Sequence, residues 1–415
     1  MSAIGNSSAW DTRKIVVFLL CAAVFVAPIH DMFFYAPLFL AVVFSLYRCV
    51  RFGNEWRCGS LWRPGLLFMI CSLISTHFAI DWRFSLFNWC FLPLMYAVLY
   101  VLLVSYLETE EDRRGFLRGL FLSFLCVLIY GVFQFLDMSD MADEAAAQGW
   151  IDAKRFPLLY RRMYSTLGNP NLYAGYLLVA IGMMTPFFLF MKRRAIRVGL
   201  GIFGLAAVLC LLLTYSRGAW VAFFAMIAVL AAVYDKRLWL IFLAVPVILF
   251  FYQGQLTERF LSIFSGEDTS TALRFALWEV TVAMIQEHLL TGIGWGIYFA
   301  TYPWYNFYIQ DPTVLIYHAH NMYLSVTAEV GIPGAIGFFW FYFGHAVLAF
   351  RLYRKSVDFV PKAVGLGLFL GIVGLAVYGL GDHVLFSRAL SFVFWSLCAL
   401  GMACSLQEKD KKQIV

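Results

Sequence analysis

Charge is scarce in this sequence. Only 13% of its 415 residues are Asp, Glu, Lys or Arg, about half the share found in ordinary soluble domains, which excludes that class. Acids are rarest within the apolar runs, where Glu329 stands alone. A proton-coupled transporter needs several ionisable groups to relay ions through hydrocarbon, so transport is disfavoured. The lysines and arginines are scattered between apolar runs and form no basic domain, which argues against nucleic acid as a partner. The first apolar run lacks a small-residue cleavage site and reads as a retained anchor. No internal repeat stands out. All nine cysteines fall in expected helices or in loops on one side, so neither a disulfide framework nor a thiolate metal site is implied.

Apolar residues fill the space that charge leaves. They make up 62% of the chain, aromatics 19%, and mean hydropathy is +0.78. Stretches long enough to cross a bilayer as helices lie near 15–29, 32–47, 64–80, 86–107, 115–136, 170–191, 196–215, 218–234, 238–253, 321–350, 363–380 and 384–405. The expected fold is all-α: one polytopic integral membrane domain over 1–415, with about twelve transmembrane helices. If the N-terminus is cytoplasmic, 22 of the 31 lysines and arginines fall on the inner side. That asymmetry orients the chain with both termini inside.

Two outer loops are long enough to fold, and loops of such length are uncommon without function. The first, 137–169, starts acidic and ends with Arg161, Arg162 and Tyr164. The second, 254–319, contains an amphipathic helix expected at 271–288, with Leu273, Leu277, Val280, Met284 and Ile285 near one stripe and Asp268 or Ser270 as N-cap. Gly292-Ile293-Gly294-Trp295-Gly296 and an aromatic stretch follow it. These rings read as an interfacial belt or as sugar-stacking platforms.

Six of the seven histidines (30, 77, 288, 318, 320 and 383) map to the outer side. Arg217 sits at a turn between two apolar helices, beside Gly218, which permits close backbone approach. It reads as a headgroup anchor or as a planar phosphate ligand. Arg274 lies in the first turn of the amphipathic helix, where a cation does not help the helix dipole. That placement points to a nearby anion or to a salt bridge with Glu267 or Asp268. His318 and His320 alternate along an extended segment and are expected to point apart. With no carboxylate at matched spacing and no Asp-x-Asp pair in the outer loops, no metal site is expected.

His320-Asn321, the nine residues Met322 to Val330, and Gly331-Ile332-Pro333-Gly334 reproduce a pattern of the bacterial O-antigen ligase and polymerase family, which the sequence resembles. Ser216-Arg217-Gly218 and Gly168-Asn169-Pro170-Asn171 agree with it. The resemblance runs from about Asn169 to Gly334 and implies a helical periplasmic loop region like that of C-type glycosyltransferases. It further implies a periplasmic active site in the bacterial inner membrane, an undecaprenyl-diphosphate-linked glycan donor and a lipid A core acceptor. The expected enzyme is an inverting, metal-independent O-antigen ligase without a cofactor. His320 is its expected base, and Arg217 and Arg274 its diphosphate ligands. Arg161, Arg162, Arg388, His318 and Asn321 are weaker candidates, Asn321 either orienting a reactant or capping a helix. A repeat-unit polymerase and a protein O-oligosaccharyltransferase share this core, and a polysaccharide flippase is the rival of a different class.

Overall fold

A computed structural model describes residues 2–30, 32–137, 162–244, 254–261, 269–306 and 316–414. Among them there are helices and no strand. The main helices are α1 Ser2–Val26, α2 Tyr35–Phe52, α3 Trp62–His77, α4 Trp82–Phe91, α5 Pro93–Tyr106, α6 Glu110–Leu136 and α7 Pro170–Phe190. They continue with α8 Arg194–Leu213, α9 Arg217–Val233, α10 Gln255–Leu261, α11 Thr269–Glu287, α12 Met322–Lys355, α13 Phe359–Tyr378 and α14 Arg388–Ile414.

Eight segments among the described residues are long and apolar enough to cross a membrane: α2, α4 with α5, α6, α7, α8, α12, α13 and α14. Of the other four expected spans, three fall short of that length or apolarity and one is only partly described. Every bilayer-length stretch of α1 includes Asp11, Arg13 and Lys14. Helices α3 and α9 have 16 and 17 residues, and the stretch 238–253 lies partly outside the described residues. Helices α7, α13 and α14 form the centre, with 78%, 72% and 89% of their apolar windows buried inside the protein, against 22% for α2 and α8. The peripheral helices therefore present their apolar faces outward, as a lipid-solvated bundle requires.

Many basic residues gather at one end of the bundle, where they close helix termini. Arg113 is 1% exposed and donates to the carbonyls of Leu107 (2.9 Å) and Glu108 (2.7 Å) and to Gln407. Arg13 binds the Tyr106 carbonyl and Asp112. Thr109 and Asp112 form a reciprocal capping box at the start of α6. Helices α7, α9, α12 and α14 all start at the opposite end, and the candidate site is there.

One long helix is broken by the sequence motif itself. Gly331 in α12 has φ +68°, ψ 174°, and Pro333 has no N–H with which to continue the ladder. The carbonyls of Ala328 and Glu329 instead accept from Ile293 (2.8 Å) and Gly294 (3.1 Å), and Ile332 donates to Leu289 (2.8 Å). A Cβ on Gly331 would lie 2.6 Å from the Leu290 carbonyl. The break thus bonds the outer loop to the bundle. Glu329, the lone acid of the apolar runs, is buried at that joint, with the backbone of Gly296 and Tyr298 near its carboxylate.

Candidate functional site

Three helix starts build the site. Asn169 caps α7 by accepting from Asn171 and Leu172, and Asn321 caps α12 by accepting from Tyr323 (2.9 Å) and Leu324 (3.1 Å). Asn321 also donates to the Leu380 carbonyl at 3.2 Å, so of its two expected roles the structure displays the cap. Ser216, before α9, shares a 2.8 Å hydrogen bond with the Tyr378 hydroxyl, which itself donates to the Asn171 carbonyl at 3.1 Å. A Cβ on Gly218 would meet that tyrosine ring at 3.1 Å, which accounts for glycine after Arg217. The end of α13 is therefore tied to the starts of α7, α9 and α12.

Three non-glycine residues in this region adopt the left-handed backbone conformation: Ser165, Tyr215 and His320, with φ of 51°, 52° and 49°. Each costs on the order of 1 kcal/mol, and each precedes one of the three helix starts. At His320 the consequence is chemical. The left-handed turn breaks the side-to-side alternation expected of an extended segment and brings the His318 and His320 rings to 4.5 Å between centroids. This corrects the expectation that they point apart.

The carboxylate that sequence spacing did not reveal is Asp382, in the turn between α13 and α14. Its Oδ1 lies 3.1 Å from His320 Nδ1 and accepts the His383 backbone N–H at 2.8 Å. Asp382 is 3% exposed. Burial alone would raise its pKa, but His320, His318 and Arg274 hold it below the usual carboxylate range. An ionised Asp382 makes Nδ1 of His320 the donor, leaving the Nε2 lone pair available. His318 Nδ1 accepts the His320 backbone N–H at 3.1 Å, so its proton sits on Nε2. Burial, then the charge of His320, pushes His318 well below the ordinary histidine value. His318, His320 and Asp382 each offer a ligand atom within 4.8 Å of the others, so the residues for a three-ligand cation site converge here, where none was expected.

Beside this pair lies a cluster of guanidiniums. Arg162 donates to the Thr214 carbonyl (2.8 Å) and to Asn171 Oδ1 (2.9 Å). Burial lowers its pKa to about 10, Tyr378 and Asp382 opposing and Arg274 and Arg217 assisting. Arg217, at the first position of α9, falls to about 10 through burial and then through Arg259 and Arg274. Arg259 on α10 falls to about 10 through burial, Arg162 and Arg274. All stay charged at neutral pH and repel one another, a field that suits a polyanion. Arg274 acts on both the cluster and Asp382, so the two halves of the site are electrostatically continuous.

The other expected residues are less closely placed. Arg161, Glu267 and Asp268 lie outside the described residues. Arg388 opens α14 as an exposed residue. His383 joins the group, its ring 5.8 Å from that of His318, whereas His30 stacks on Phe33 and His345 bonds Tyr100. On α11 the buried stripe is Leu277, Val280 and Met284, while Leu273 is exposed. Tyr298 and Tyr302 pack against that stripe and so serve as a small outer core. Arg259, Asp382 and Tyr378 were missed. The signal for Asp382 was an acid next to a histidine in a short glycine-bearing break between two apolar runs.

Fold and site define a polytopic membrane protein with a histidine–carboxylate pair and an arginine cluster at one end. Residues 202–339, about a third of the chain, match the O-antigen ligase family model (Wzy_C), so the chain carries an O-antigen ligase family domain, as the motifs implied. That family implies a glycosyltransferase-type enzyme. The matched stretch contains Arg217, Arg259, Arg274, His318 and His320, whereas Arg162 and Asp382 lie outside it. No curated protein matches the sequence.

Proposed function

We propose that the protein is an O-antigen ligase, transferring the glycan of an undecaprenyl-diphosphate-linked donor to a sugar hydroxyl of lipid A core at the periplasmic face of the inner membrane. The observation that carries this reading is the juxtaposition of the His320–Asp382 pair with Arg162, Arg217, Arg259 and Arg274. His320 Nε2 takes the proton of the acceptor hydroxyl as its oxygen bonds to the donor's anomeric carbon. Asp382 holds the imidazole in the required tautomer and stabilises the imidazolium that forms. The bond from the anomeric carbon to the diphosphate oxygen breaks with its electrons on that oxygen, where the guanidiniums stabilise the charge. Attack opposite the leaving group inverts the anomeric centre.

The test is a gel of lipopolysaccharide from a strain lacking the gene. Loss of a ligase leaves bare core with polymer stranded on its lipid carrier, whereas loss of a repeat-unit polymerase leaves core bearing a single repeat. Unchanged lipopolysaccharide together with loss of protein glycosylation would point to the protein-modifying branch.

A second reading has its own support in the convergence of His318, His320 and Asp382. There the three side chains would hold a divalent cation, His318 giving up its bond to the His320 N–H or its Nε2 proton to do so, and the cation would supply Lewis-acid activation of the acceptor hydroxyl. Turnover surviving dialysis against EDTA favours the arginine-only mechanism. Loss restored by added metal favours the cation.

A further inference from the structure

At the opposite end of the bundle, α12, α14 and the turn before α3 enclose a cavity of about 580 Å³. Its lining changes character along α12. Trp340 and Val347, 58% and 50% exposed, lead into Arg351 and Lys355 at helical spacing, and Lys409 of α14 faces the same space. Three cations thus meet one carboxylate in the lining, Glu408, which is itself 4.0 Å from Lys411. Ser356, the residue that follows α12, also lines the cavity. It is 5% exposed, and its Oγ has no hydrogen-bond partner among the described residues. A buried hydroxyl left in that state is costly unless a ligand or water satisfies it.

The dimensions fit one class of occupant. From Trp340 to Lys355 the helix rises about 22 Å at 1.5 Å per residue, which is half of a bilayer about 40–45 Å thick with its headgroups. The stripe therefore spans one leaflet, apolar where acyl chains lie and cationic where phosphates lie. We propose that this cavity binds an anionic diacyl phospholipid of the surrounding membrane. Its phosphate sits among Arg351, Lys355 and Lys409, Ser356 donates to a headgroup or glycerol oxygen, and its chains lie along Trp340 and Val347. Basic pockets between spanning helices favour such headgroups through charge that a zwitterionic lipid does not match. The site is separate from the His320 region and does not depend on the reaction proposed there.

Brominated lipids quench a tryptophan they touch, so Trp340 reports on occupancy. The full-length protein is reconstituted in phosphatidylcholine vesicles containing a minor fraction of brominated phosphatidylglycerol or, separately, brominated phosphatidylcholine. The Trp340 signal is the difference between wild type and Trp340→Phe. The expected result is half-maximal quenching at an about tenfold lower fraction of the anionic lipid, with that preference lost in the Arg351→Gln, Lys355→Gln, Lys409→Gln variant. Equal quenching by the two lipids in the wild-type protein, which needs no charge variant, overturns the proposal. So does a preference that survives the triple substitution, or one that inorganic phosphate abolishes, since a free anion would then suffice.

Discussion

Asp382→Asn perturbs the site at the point where its chemistry is most exposed to test. The substitution keeps size and shape, and an amide oxygen can still accept the His383 N–H that lies 2.8 Å from Asp382 Oδ1. What disappears is the negative charge 3.1 Å from His320 Nδ1. Two unit charges about 4 Å apart interact by about 4 kcal/mol at an effective dielectric of about 20. The His320 side chain is 33% exposed, and solvent screening reduces the effect to about 2–4 kcal/mol. At 1.4 kcal/mol per decade, kcat should fall by about 30- to 1,000-fold. Donor KM should change little, because the guanidiniums that hold the diphosphate remain in place. The assay is glycan transfer by purified protein from lipid-linked donor to core acceptor, with thermal stability measured alongside. A variant that folds normally and keeps kcat within about threefold of wild type would refute the role of the carboxylate.

Three further outcomes follow from the same geometry. Arg217→Lys retains the charge but not the planar fork, and kcat/KM should drop by about tenfold or more; unchanged kinetics would remove Arg217 from the diphosphate site. His383 faces Asp382, His318 and His320, and burial lowers its pKa from 6.5 to about 4. The unfolded chain therefore takes up a proton first as pH falls, so this contribution to stability is complete above about pH 6.5 and is lost as pH falls toward 4. The loss is about 2 kcal/mol at pH 5, and His318 shifts in the same direction. Melting temperature measured against pH should decline over that window and flatten in His383→Gln; a pH-independent difference between the two proteins would contradict the assignment. Gly331→Ala should destabilise by about 2–3 kcal/mol, since its φ of +68° disfavours a side chain and the new Cβ would meet the Leu290 carbonyl. A thermal shift near zero would show that the break in α12 is not held as described.

The helices were legible because bilayer-length apolar runs and the distribution of charge are local properties of the sequence. Arg217 and Arg274 stood out as candidates because a turn between apolar helices and the first turn of a helix have little cause of their own to hold a cation, and His320 stood out through the motif it opens. Asp382 was not, because its bond to His320 joins residues 62 positions apart through the packing of α13 beside α12. The convergence of His318 and His320 was hidden by a single backbone torsion at His320, which no periodicity encodes. Arg259 sits on α10, a helix of seven residues too short to give a pattern. The two glycines at positions 331 and 334 were visible as a motif, but their purpose was not. The first breaks α12 so that the segment around Gly292 can bond into the gap.

The central claim is that His320 removes the acceptor proton. It is tested most directly by single-turnover transfer with purified His320→Ala protein, undecaprenyl-diphosphate-linked glycan and lipid A core. The account predicts normal folding, retained donor binding and a rate at least about a hundredfold below wild type; full turnover in the folded variant would contradict it.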